Sequence, residues 1–198
     1  MPSLPPNLVD NLRYLVMDIR ESYEAEEHTV PEALSKNRHF RRTNRPKSEL
    51  TRSIMGGAFQ RGAMRLGLNY RDGKGGAVEL YEPFSNGFAV IRLKRAKRVG
   101  DDFRVSANAA TTLNGLADDS LMPEYHFLLG WVLEDHQPLD LFVAEIVGIE
   151  EGNPGQYLLG WTHEFALPTP PSATGFQPHS DDDLGEWDQD TTGLDKQG

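Results

Sequence analysis

Leu8, Leu12, Leu15, Val16, Ile19 and Tyr23 recur three and four positions apart, with polar residues between them. That period predicts an amphipathic helix over roughly residues 7–26. Glu24, Glu26 and Glu27 fall at its C-terminal end, where the helix dipole disfavours anions, so the helix stops there. Pro31 with Glu32 opens a second, short helix. Thr43, Asn44 and Pro46 are start signals for a third, over about residues 46–66, with Leu50, Ile54, Ala58 and Met64 or Leu66 as its buried stripe. Gly56, Gly57 and Gly62 weaken that helix by about 1 kcal/mol each relative to alanine. Close packing explains them, because GGAFQRG fits neither a dinucleotide nor a phosphate-loop pattern.

After a turn-rich break at residues 69–76 the apolar period shortens to two. Residues 77–82 and 88–98 read as the strands of a hairpin around Asn86-Gly87. A turn centred there sets Lys94 opposite Glu79 and Arg92 opposite Tyr81. Phe88 and Val90 then share an exposed face with Arg92, Lys94 and Arg98, while Ala89, Ile91 and Leu93 point to the core. Phe103, Val105 and Ala107 suggest a short strand, residues 109–116 a short helix or loop, and residues 118–120 a turn.

The densest apolar stretch runs from Glu124 to Phe165 and contains Leu-Leu-Gly-Trp twice, at 128–131 and 158–161. It predicts three antiparallel strands in the middle of a sheet. Odd-numbered residues from Phe127 to Phe165, with Glu145, Leu159, Trp161 and His163 among them, take one face. Leu128, Gly130, Val132, Phe142, Ala144, Ile146, Leu158, Gly160 and Thr162 take the other. Both faces are largely apolar, so both are covered. Gly130 lies opposite Phe142 and Gly160 opposite Ile146 in this register, which explains the repeat as room for large neighbours. The expected fold class is α+β, with N-terminal helices packed against a mainly antiparallel sheet. Residues 1–35 and 36–167 belong to one domain, and residues 168–198 form a disordered acidic tail, rich in Pro, Ser, Gly and Asp.

Charge changes the picture more than composition does. The chain has 198 residues and a formal net charge of −10, yet residues 36–104 carry a net of +11, against −5 before them and −16 after them. A basic middle between acidic ends makes a local field that the overall balance conceals. The absence of cysteine excludes disulfides, thiolate metal sites and a cysteine nucleophile. No basic-then-apolar leader is present, and no apolar run approaches the roughly 18 residues that span a bilayer. The expectation is a soluble cytoplasmic chain with no membrane contact.

Candidate chemistry follows the charges. Arg38, Arg41, Arg42, Arg45 and Lys47 share one loop, and Arg92, Lys94, Arg95, Lys97 and Arg98 share one strand and its end. Both groups suit phosphates of DNA or RNA, with Phe40 or Tyr70 available to stack on a base. No helix-turn-helix, RNP or zinc-finger pattern accompanies them, so reading of base sequence is not expected. The alternative is that the cations meet acidic segments of this chain or of a protein partner. In the acidic tail, Leu184 and Trp187 are two apolar anchors for such a partner.

Glu145 and His163 fall diagonally across the central strands on an apolar face. An ionised carboxylate there is costly unless paired. The pair reads either as a satisfied core contact or as a general base with its orienting carboxylate. Asp140 with Glu145 is the weak signal for a metal-dependent nuclease, but no Glu-x-Lys follows. HExxH and G-x-S-x-G are absent too. The sequence favours a non-enzymatic nucleic-acid-associated or regulatory protein needing no metal or cofactor, its acidic tail modulating binding. A protein-interaction or assembly role is the alternative.

Overall fold

A computed structural model describes residues 4–36, 38–73, 77–107, 122–134, 139–150, 152 and 155–167. Residues 1–166 and 167–198 form two units, and the fold is that of the first. The acidic tail, with Leu184 and Trp187, lies outside the described residues, as do residues 109–116 and 118–120.

The helices follow the apolar period. Helix α1 (Pro6–Glu26) has a proline in its first turn and buries Leu8, Leu12, Leu15, Val16, Ile19 and Tyr23. It ends at the acidic run, where the Glu27 N–H donates to the Tyr23 carbonyl at 2.7 Å. Helix α2 (Thr29–Lys36) and a 3-10 turn (Arg38–Arg41) lead into α3 (Arg45–Arg65). The buried stripe of α3 differs from the expected one. It consists of Thr51, Met55, Ala58, Phe59, Gly62 and Ala63, while Met64 is 59% exposed. Small residues decide this: a Cβ on Gly62 would stand 2.5 Å from Leu15 Cδ1. The Ala58/Gly62/Ala63 surface lets α3 press against α1, which turns Met64 out to water.

Seven strands form the main sheet in the order β1 (Tyr70–Asp72), β2 (Val78–Phe84), β3 (Gly87–Arg95), β7 (Glu124–Val132), β8 (Asp140–Glu150), β9 (Gly155–Phe165) and β6 (Ser106–Ala107). All neighbours are antiparallel except β3 and β7, so the fold is α+β with a mainly antiparallel sheet. The parallel β3–β7 contact was not foreseen. It is a tight one: a side chain on Gly87 would collide with the Pro123 backbone.

The expected long strand 88–98 is broken at Ala96. Its second part, β4 (Lys97–Val99), pairs with β5 (Asp102–Arg104) as a separate two-stranded ribbon closed around Gly100, whose φ is +63°.

Two apolar layers cover the sheet. On one face α1 and α3 pack on Leu80, Ile91, Phe127, Leu129, Trp131, Leu141 and Val143. On the other, Ala96, Val105, Ala107 and Phe103 of the ribbon region pack on Leu128, Phe142, Ala144 and Ile146.

Registers were partly as expected. Gly130 does face Phe142. The β2–β3 turn, however, is Ser85-Asn86, with Ser85 at φ +52°. That moves the pairing by two residues, so Glu79 faces Arg92 rather than Lys94. The shift keeps parity, but Val90 is fully buried rather than exposed. Between β8 and β9 the register slips at Ala144/Ile146 and again at Ile146/Gly148. A bulge reverses the side-chain alternation. Leu159 therefore joins Ile146 in the ribbon-side core, and Gly160 accommodates Glu145 and Val147 instead of Ile146.

Candidate polyanion-binding surface

The sequence-predicted cations separate into two groups, those neutralised by carboxylates and those left over. Arg92 Nε donates to Glu79 Oε1 at 2.6 Å. Arg98 donates to Glu164 Oε2 at 2.6 Å, with Asp140 at 3.8 Å, and its guanidinium lies 4.7 Å over the Phe103 ring. These two are structural ion pairs, and the cationic face expected of Arg92, Lys94 and Arg98 is reduced accordingly. Arg71 of β1 is likewise bound by Glu124 and Glu79.

Arg42 and Arg45, at the start of α3, are exposed and make no ion pair among the described residues; Lys47 is exposed beside them. Arg38 and Arg41 lie in the preceding 3-10 turn. Arg95 comes from the distant end of β3 and reaches the same place. Its Nη1 donates to Ser48 Oγ at 3.4 Å, and its guanidinium covers the Trp131 ring at 5.5 Å. Lys94 is half-buried without a carboxylate partner among the described residues. Burial, then Arg92 and Arg52, push its ammonium pKa below the usual lysine value, and Glu79 offsets part of that.

Two further cations lie on the β4–β5 ribbon, across the sheet from α3. Lys97 faces Arg104 directly across the ribbon, both exposed, and no carboxylate pairs with either among the described residues. Like charges opposed across a strand pair repel, so an anion between them relieves a strain already present. Arg104 escaped the sequence reading because its partner is visible only once the strand breaks at Ala96. Asp101 and Asp102 make the ribbon tip acidic.

The catalytic candidates do not assemble. Asp140 pairs with Val132 on the ribbon-side face near Arg98, whereas Glu145 lies on the helix-side face. No group of three His, Asp or Glu side chains could hold a metal among the described residues. His163 sits between Trp161, ring centroids 6.1 Å apart, and Phe165, at 5.1 Å. No hydrogen bond joins it to Glu145, whose Oε2 is shielded from water and has no donor.

The sheet holds a second anomaly that the sequence did not signal. His126 is 5% exposed, beside Val90, and neither ring nitrogen has a partner. Burial first, then Arg92, hold its pKa below the usual histidine value. Above the unfolded pKa of about 6.5 both states are neutral and nothing is lost. As pH falls through that value the unfolded chain takes a proton that folded His126 refuses. Stability is therefore expected to drop toward acid by up to about 1.4 kcal/mol per pH unit until the folded pKa is passed. Urea unfolding of wild type and His126→Leu between pH 8 and 5 checks this; the stability of wild type relative to the variant must fall as pH falls.

Compared with known proteins, the chain matches no family model and no curated protein sequence.

Proposed function

We infer that this protein binds DNA or RNA through phosphate contacts made by Arg42, Arg45, Lys94, Arg95, Lys97 and Arg104. The observation that carries this reading is the Arg95–Ser48 contact, which brings the end of the basic strand to the first turn of the helix that the basic loop enters. Arg95 thereby joins Arg42 and Arg45 on the helix side of the sheet, with Lys94, Lys97 and Arg104 on the ribbon side, in a chain whose overall charge of −10 would otherwise repel a polyanion. Nothing on this surface specifies a base, so the recognition is of backbone charge.

Six phosphate contacts correspond to a salt slope, d log K/d log[salt], of about −5 on duplex DNA. Replacing Arg42, Arg45 and Arg95 together by Gln is expected to flatten that slope by about 3. Arg92→Gln and Arg98→Gln leave it unchanged, because those charges are already neutralised by Glu79 and Glu164. Fluorescence anisotropy with labelled oligonucleotides across a salt series measures both. No binding at low salt, or a slope indifferent to the triple replacement, removes the reading.

A further inference from the structure

The β8–β9 hairpin has three features that point to one ligand. The first is an open edge. Beyond β9 lies only β6, which pairs with Gln156 and Gly155; the Tyr157 N–H adds a bond to the Val105 carbonyl at 3.0 Å. From Leu158 to Phe165 no strand pairs with the outer side of β9 among the described residues. Such edges are usually blunted by Lys or Pro, and β9 contains neither.

The second is exposed apolar surface flanking that edge. Val147 is 53% and Leu158 46% exposed, and Trp161 beside them is partly buried against the helix-side core. The third is the Glu145 carboxylate. Its Oε2 is out of reach of water and accepts no hydrogen bond. It also does not stay over its own strand. A Cβ on Gly160 would stand 2.9 Å from Glu145 Oε2 and 2.7 Å from Val147 Cγ1, so both side chains lie over β9, in the gap left by the glycine. The bulge in the β8–β9 register is what brings Glu145, Val147 and Gly160 to one face.

A strand added outside β9 would run about 4.8 Å from it. A Lys or Arg on the same face of that strand comes up beside Gly160, where a turn of the Glu145 side chain exposes its carboxylate to the cation, while its neighbours cover Val147 and Trp161. We propose that the outer edge of β9 binds an extended segment of a partner protein as an added β-strand, and that Glu145, lying over Gly160, selects a segment carrying Lys or Arg at that position.

A two-fold pairing of β9 with β9 of a second copy is disfavoured by the same chemistry. Residues Gly155–Phe165 contain no Lys or Arg, so a symmetric pair would leave both Glu145 carboxylates without a donor. The proposal is independent of nucleic-acid binding, since none of its residues belongs to the basic surface.

A displayed library of random heptapeptides, selected on the full chain, tests it. The enriched sequences are expected to alternate apolar residues and to place Lys or Arg at one fixed position. A synthetic peptide from that set should slow hydrogen exchange at the amides of Leu158–Phe165. Changing its cation to Gln, or the protein's Glu145→Gln, should each weaken binding about ten-fold, with no further loss when both are changed. The circular dichroism of Glu145→Gln must match wild type. Enrichment without a cation, equal affinity for Glu145→Gln, exchange protection elsewhere, or concentration-dependent β9 protection with no peptide added would each overturn the proposal.

Discussion

Arg20→Met is expected to lower the unfolding free energy by about 3 kcal/mol. Arg20 stands inside the apolar stripe of α1 and is only 6% exposed. Its guanidinium has no bonded carboxylate; it donates to three backbone carbonyls, from Nη2 to Phe165 at 2.7 Å, from Nη1 to Ala166 at 2.9 Å and from Nε to Leu139 at 3.3 Å. These are the last residue of β9, the residue after it and the residue before β8. A fork of five donors suits three diverging acceptors, and a lysine ammonium does not.

Burial lowers the Arg20 pKa, and Asp140 and Glu24 only partly offset that. The residue is therefore tolerated for the carbonyls it satisfies rather than for an ion pair. Methionine fills the volume and leaves the buried carbonyls without donors. Chemical denaturation should show the loss, and Arg20→Lys should recover less than half of it. Native-state hydrogen exchange should rise first where β8 begins and β9 ends. A variant as stable as wild type would mean that water takes over all three carbonyls.

Arg20 also shows where the sequence stops being legible. The period of Leu8, Leu12, Leu15, Val16, Ile19 and Tyr23 determines α1 because burial on one side of a helix needs only local spacing. Nothing local tells that Arg20, one position from Ile19, turns inward too. Its acceptors lie 119 to 146 residues away.

The same limit applies to the charges. Parity placed Arg92 and Lys94 on one face of β3, but the break at Ala96 puts Arg98 in the separate ribbon. Which of them meet a carboxylate depended on a two-residue turn shift for Arg92 and on the ribbon folding back for Arg98. Alternation likewise failed at the β8–β9 bulge, since one extra residue reverses every side chain beyond it. His126 was invisible for a different reason. A histidine in an apolar strand gives no sign of whether its nitrogens will find partners.

Gly130→Val is the second large effect, at about 3 kcal/mol. The two Leu-Leu-Gly-Trp copies look alike, but their glycines do different work. At Gly130 any side chain runs into the ring of Phe142. That ring cannot retreat, because its other side is stacked on Phe103 at 3.7 Å, and Phe103 carries Arg98 above it. Pushing Phe142 outward therefore pushes the β4–β5 ribbon with it, and Lys97 and Arg104 move as well. Two readouts should change together: the denaturation midpoint falls, and the salt slope of the proposed nucleic-acid binding is flatter for the folded fraction than for wild type.

At Gly160 the obstructing atoms are the ends of Glu145 and Val147, two half-open side chains, so Gly160→Ala is expected to cost less and to leave the proposed nucleic-acid binding unchanged. Gly56, with nothing within 4 Å of a built Cβ, supplies the control. There alanine should stabilise α3 by up to about 1 kcal/mol. Equal losses at Gly130 and Gly160 would show that the ribbon is not seated on Phe142 as the packing requires.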